Sequence, residues 1–172
     1  GQVGITQGTV FQNWKEYNEE PEHLPFMYGI DWGYNDPYVI IKGTFDWDKR
    51  NLYVKEVAYL TELKPDACLE VAEKRIEDKT KLIVCDHSPA MKMMFIDAGF
   101  NIYNAKKDTV EEKTRQLLNW NIFVHKDSHN IKEELYNYKY SDKDPERPID
   151  KFNHAIDAIT YIEREIRYEI IG

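Results

Sequence analysis

Residues 27–60 hold three β-rich runs in direct succession, and that succession limits the fold more than any other feature of the chain. "MYGID" is followed by "YVIIKGTF" after the six residues "WGYNDP", and only the polar turn "DWDKRN" separates the second run from "NLYVKEVAYL". A turn of that length joins antiparallel neighbours, whereas parallel neighbours need a crossover of about a dozen residues or more. The domain therefore opens with three hairpin-connected strands.

After residue 64 the pattern changes to alternating strand and helix. Cys68, Leu69, Ala72 and Ile76 recur at helical spacing over residues 65–79, with Pro65 suited to the first turn. The strand "KLIVCD" comes next, and "SPAMKMMFIDAG" supplies Ser88 as N-cap, Pro89 at the first helical position and Gly99 as a stop. "NIYN" is a fifth short strand, "TVEEKTRQLLNW" starts with a capping box from Thr109 and Glu112, and "IFV" is a last extended segment. Asn130 with Glu133 marks a further helix start, and a terminal helix is expected from about Phe152 to about Tyr168. The prediction is an α/β domain over residues 26–172: a mixed sheet with its first three strands antiparallel and the later ones parallel, flanked by helices. Residues 1–25 are Gly-rich and polar, with "GTVFQNW" as the single apolar island, and are expected to be a linker or the end of a preceding domain.

Of the 172 residues 42% are hydrophobic, enough for a full core, and no apolar stretch exceeds about five residues. No basic segment followed by an apolar run opens the chain, so a soluble, non-secreted protein without a membrane partner is expected. Cys68 and Cys85 form no C-x-x-C pair, and Cys85 ends an apolar run as a buried thiol would. A formal charge of −8 argues against an autonomous, tight nucleic-acid binder but leaves metal-dependent work on phosphates open.

Three acids stand where apolar patterning carries them inward. Asp31 closes the first strand, Asp86 closes "LIVC", and Asp157 lies among Ala155, Ile156, Ala158 and Ile159. Taken singly, Asp31 has a lesser alternative as a strand-end hydrogen-bonding residue and Asp157 as half of a buried ion pair, while Ser88 and Pro89 free Asp86 from a capping role. Taken together they suggest one site, because crowded carboxylates repel unless divalent cations neutralise them, and oxygen-only ligation favours Mg²⁺ or Mn²⁺. His154 stands one turn before Asp157 on the same helix face. Lys106 and Lys107 precede a helix N-terminus, a place suited to a DNA phosphate and equally to an ordinary solvated pair. There is no G-x-x-x-x-G-K-[ST] and no convincing Ser-His or Cys-His arrangement.

"GIDWGYNDP", the acid in "IVCDHSP" and "FNHAIDAITY" in the last helix resemble, in order, spacing and flanking residues, the C-terminal nuclease domain of the large terminase subunit of tailed bacteriophages. The resemblance spans about residues 10–165. It implies a ribonuclease H-like sheet with helices on both faces, and an endonuclease that cuts double-stranded viral DNA concatemers during packaging into the procapsid. It further implies Asp31, Asp86 and Asp157 as catalytic ligands of two Mg²⁺ or Mn²⁺ ions, with His154 and Asp36 close by. By the same resemblance "GTVFQNW" joins a packaging ATPase of the same polypeptide, portal and small terminase are partners, and the setting is the cytoplasm of an infected bacterium. The insertion that usually precedes the last helix is here only "YKYSDKDPERPIDK". Two other readings remain: an actin-like ATPase or sugar kinase, which also begins with D-x-G after a strand but needs a Gly-Gly pair not found here, and a non-catalytic docking module.

Overall fold

A computed structural model of the chain describes residues 8–171. The elements run β1 (Lys15–Tyr17), β2 (Phe26–Asp31), β3 (Tyr38–Asp46), β4 (Asn51–Leu60), α1 (Pro65–Arg75), β5 (Leu82–Cys85), α2 (Pro89–Asp97), β6 (Asn101–Asn104), α3 (Val110–Leu118), β7 (Asn121–His125), α4 (His129–Asn137) and α5 (His154–Ile171). The strands form one sheet in the order β1-β7-β4-β3-β2-β5-β6. As expected, β3 runs antiparallel to both β2 and β4, while β5 and β6 are parallel to β2 on one side and β7 is parallel to β4 on the other.

Side chains alternate across this sheet and make two cores. Tyr28, Ile30, Tyr38, Ile40, Ile83 and Cys85 pack with Cys68 and Ala72 of α1 and Phe95 of α2. Met27, Val39, Ile41, Val54 and Val84, their alternate neighbours, pack with Leu117 of α3, Leu135 of α4 and the apolar side of α5. Helices therefore cover both faces. Helix α5 lies so close to the sheet that a Cβ on Gly29 would sit 2.5 Å from the Ala158 carbonyl oxygen.

Between β3 and β4 the register shifts, with Ile40 opposite Ala58 and Ile41 opposite Glu56. Val57 is thus an extra residue on β4, a β-bulge. Without it Glu56 and Ala58 would share a face; with it Ala58 joins the α1/α2 core, and Glu56 and Tyr59 both turn toward α4.

Several local features differ from the sequence expectation. Residues 1–7 of the expected linker lie outside the described residues, but Val10 and Phe11 are buried in the α4/α5 core, and β1 pairs with β7 at the sheet edge. The Val10 N–H donates to the Tyr138 carbonyl, so the apolar island of the stretch packs on the domain that follows it. Helix α4 begins after Ser128 rather than at Asn130, because Glu56 accepts the Ile131 N–H at 2.6 Å and the Asn130 amide at 3.1 Å. Helix α1 ends at Arg75, with Ile76 extended into the core, and α5 starts at His154, since Phe152 adopts φ 55°, outside helical geometry. Thr109 caps α3, accepting the Glu112 N–H at 3.1 Å, but the Glu112 carboxylate bonds Arg115 and Gln116, so only the Thr109 half of the expected capping box forms. Among the described residues no helix is long and apolar enough to cross a membrane.

Candidate active site

The last residue of β2, Asp31, is 7% exposed and points to the α5 face, opposite Ile30. Asp86 follows β5 directly, and its N–H donates to the Ile30 carbonyl at 3.1 Å, which places it beside the end of β2. Trp32 secures this junction: its indole N–H donates to the Asp86 carbonyl at 2.9 Å and its ring stacks on Tyr38. Asp157 lies in the first turn of α5, which the close approach at Gly29 sets against the same strand ends. All three acids line one pocket of about 260 Å³, with Lys106, Lys107, Asp108, Lys113, Thr160, Tyr161 and Arg164.

Charge in this pocket is unevenly compensated. Lys107 Nζ stands 2.7 Å from Asp86 Oδ1, and Lys113 Nζ stands 3.2 Å from Asp157 Oδ1. Asp31 has a weaker partner, His154 Nδ1 at 3.3 Å from Oδ2. Burial pushes the Asp31 carboxyl up to about 6; the His154 bond opposes this, and the charges of Asp157 and Asp86 add to it. Burial also raises Asp157, with Lys113 opposing. The hydrogen bond to Asp31 raises His154 against the opposing effect of its own burial. Asp36 is an exposed carboxylate 3.9 Å from His154 Nε2.

Among the described residues no three His, Cys, Asp or Glu side chains converge as a finished ligand set, and ammonium groups stand on two of the acids. The donors nevertheless suit a hard divalent cation: they are carboxylate oxygens on a shared pocket, and Asp31 is raised first by burial and further by the negative charge of the other two.

Lys106 and Lys107 both reach the pocket rim, Lys106 in an ion pair with Glu165 at 2.8 Å and its ammonium over the Tyr168 ring. Sequence reasoning missed Lys113, Thr160, Tyr161 and Arg164. Two signals were present. Lys113 falls between Val110 and Leu117, on the face α3 turns to the core, and Asp157, Thr160, Tyr161 and Arg164 are spaced i, i+3, i+4, i+7 along α5. A separate concavity of about 270 Å³ between the N-terminal stretch and β7 is lined by Val10–Trp14, Leu118 and Trp120–Ile122, and gathers no titratable group.

No family model matches the chain, and no curated protein matches it. Solved structures do. The P22 large terminase nuclease domain matches with a TM-score of 0.77 at 18% identity over 94% of each chain. The g2p (large terminase) nuclease domain of bacteriophage SPP1, with bound Mn, matches at 0.72 and 25% identity over 96% of this chain and 94% of that one. The large terminase of a thermophilic bacteriophage, in complex with ADP, matches at 0.78 and 20% identity over 95% of this chain, which spans 46% of that protein. The chain thus has the ribonuclease H-like fold of large terminase nuclease domains over nearly its whole length.

Proposed function

We propose that this chain is a divalent-metal-dependent endonuclease that cuts double-stranded viral DNA concatemers as a phage genome is packaged. Carrying the proposal is the meeting of Asp31, Asp86 and Asp157, from three separate elements, on one pocket of a fold shared with terminase nuclease domains. The fold alone does not assign the chemistry; the carboxylates do. Asp31, Asp86 and Asp157, with His154 and Asp36 alongside, would hold two Mg²⁺ or Mn²⁺ ions, which when bound would activate water and stabilise charge at the phosphate. A Mn-bound relative of the same fold agrees with that choice.

The chain's own residues do the rest. Lys106, Lys107, Lys113 and Arg164 give the pocket cationic donors for the non-bridging oxygens of a phosphodiester. His154 bonds to Asp31 and orients its carboxylate. Trp32 and the Asp86 N–H hold the ends of β2 and β5 together, so that two acids from different strands keep a fixed separation. The stretch before residue 26 leads, in this proposal, from a packaging ATPase of the same polypeptide, and portal and small terminase bring DNA to it in the host cytoplasm.

Incubation of the chain with supercoiled plasmid and Mn²⁺ tests this. Nicked and linear products should form, EDTA should abolish them, and Asp31→Ala, Asp86→Ala and Asp157→Ala should each remain folded yet inactive. A wild-type chain that leaves plasmid intact at every protein concentration sinks the proposal.

A further inference from the structure

Helix α5 carries Asp157 and His154 in its first turn, and the Asn153 side-chain amide just before it donates to Asp150 at 3.1 Å. The cap comes from another helix. Glu134 of α4 is 2% exposed and accepts the Ala155 N–H at 2.9 Å on Oε2 and the Ile156 N–H at 3.0 Å on Oε1. Its Oε2 also accepts the Tyr59 hydroxyl at 2.7 Å. Ala155 directly follows His154 and Ile156 directly precedes Asp157, so the carboxylate is anchored within one residue of each of these side chains.

We propose that Glu134 is a positioning residue for the active site, fixing the first turn of α5 so that Asp157 and His154 face the other acids. A carboxylate at a helix N-terminus satisfies donors that would otherwise be orphaned and lies favourably against the helix dipole. Glu134 does so with both oxygens on adjacent amides, which fixes the rotation of the turn as well as its height. Its own orientation is inherited. Glu56 in turn caps α4, accepting the Ile131 N–H on Oε1 and the Asn130 side-chain amide on Oε2, and the β4 bulge at Val57 is what presents Glu56 and Tyr59 to α4 together. A chain of contacts thus runs from one bulge on β4, through α4, to the metal-ligand candidates on α5. Groups that orient ligands from behind typically matter about 10- to 100-fold in metal affinity or activity.

This inference rests on the proposed nuclease function, and its test separates the two. Mn²⁺ affinity, cleavage kcat and KM for plasmid, and metal-free melting temperature are measured for wild type, Glu134→Gln, Tyr59→Phe and Glu163→Gln. Glutamine keeps one acceptor but turns an NH₂ toward a second amide donor. Glu163 is the control, a buried acid on α5 tied to Trp120 and Arg167 and not lining the pocket. Glu134→Gln should weaken Mn²⁺ binding about 10-fold or more and lower kcat with KM little changed. Tyr59→Phe, which removes one of three donors, should fall between, and decides the matter if Glu134→Gln does not fold. Glu163→Gln should lower the melting temperature while leaving Mn²⁺ affinity unchanged. Wild-type Mn²⁺ affinity and kcat in a folded Glu134→Gln, or in Tyr59→Phe should Glu134→Gln not fold, would overturn the inference alone; a wild type that neither binds Mn²⁺ nor cleaves would overturn the function with it.

Discussion

Lys113 Nζ lies 3.2 Å from Asp157 Oδ1, and both side chains are about four-fifths removed from solvent. An ammonium from α3 therefore already compensates the acid that α5 brings to the pocket, as Lys107 does for Asp86. Under the proposed function, a metal held by Asp157 competes with that ammonium for the carboxylate. Lys113→Met should lower the metal-free stability by about 1–3 kcal/mol, since it leaves a largely buried carboxylate without its charged donor, and should tighten Mn²⁺ binding by removing the competitor. Urea unfolding and Mn²⁺ titration of the same variant check both signs; weaker metal binding would mean that Lys113 supports the site rather than competing for it.

Asp31 differs because its partner is a histidine and its carboxyl is pushed up to about 6 from an ordinary value of 3.8. Between those two pH values the folded chain holds more protons than the unfolded one, so metal-free stability falls as pH rises through the window and is regained below it. Asp157 and Glu134, raised by burial, act in the same direction. His154, raised by Asp31, also contributes stability that is present at low pH and lost as pH rises. The metal-free protein should therefore melt higher near pH 5 than near pH 7. Asp31→Asn should stabilise it near pH 7 by at most about 3 kcal/mol, reduced by the weakened His154 bond, while abolishing cleavage. Because protons compete with Mn²⁺ for Asp31, the Mn²⁺-induced rise in melting temperature should shrink over the same fall in pH. A melting temperature that rises from about pH 5 to 7 without metal refutes the assignment.

Gly29 and Gly43 set the distance of α5 from the sheet, but not equally. A Cβ at Gly29 meets a backbone atom, the Ala158 oxygen at 2.5 Å, whereas at Gly43 the nearest atom is the Ile162 Cγ2 methyl at 2.9 Å. A methyl group can move more readily than a helix backbone. Gly29→Ala should cost about 1–3 kcal/mol by overpacking and, since α5 must shift with Asp157 upon it, should also weaken Mn²⁺ binding. Gly43→Ala should cost less and leave metal affinity near wild type. Denaturation curves and Mn²⁺ titrations of the pair decide it, and equal effects at both positions would show that α5 adjusts freely.

The three acids that line the pocket were legible because each breaks an apolar pattern at a strand end or within a helix, and such breaks are visible locally. The antiparallel opening was legible from the short turn at residues 46–51, and the two-sided core from strand alternation. What stayed hidden depends on partners distant in sequence. Glu56 and Glu134 read as ordinary charges on β4 and α4, and become caps only when the fold brings Ile131, Ala155 and Ile156 to them. Strand β1 carries too few residues to show a period, and its place is set by β7, more than a hundred positions later. Asn130 looked like a cap from its neighbours, yet its amide is spent on Glu56.

Attraction of DNA to this site is the remaining physical problem. The chain carries −8 overall, and all three of its pocket lysines are already engaged, Lys106 with Glu165, Lys107 with Asp86 and Lys113 with Asp157. Few phosphate contacts release few counterions, so affinity for the isolated chain should be low and its salt dependence shallow relative to strongly basic DNA binders. Cleavage should therefore need high protein concentration, show no sequence preference and fall as salt rises, and fusion to a packaging ATPase domain should restore efficiency by raising the effective concentration of DNA. Lys106→Glu with Lys107→Glu should reduce the slope of log affinity against log salt by at most about 2, roughly one per lysine that reaches a phosphate. The pair should not raise the Mn²⁺ requirement, because the loss of Lys107 frees Asp86 of a competing ammonium, as Lys113→Met frees Asp157. Plasmid cleavage measured against protein concentration at two salt levels is the check. Saturation at nanomolar protein, unaffected by salt, would mean that a strong DNA-binding surface lies elsewhere on the chain and that these lysines do not govern access to the pocket.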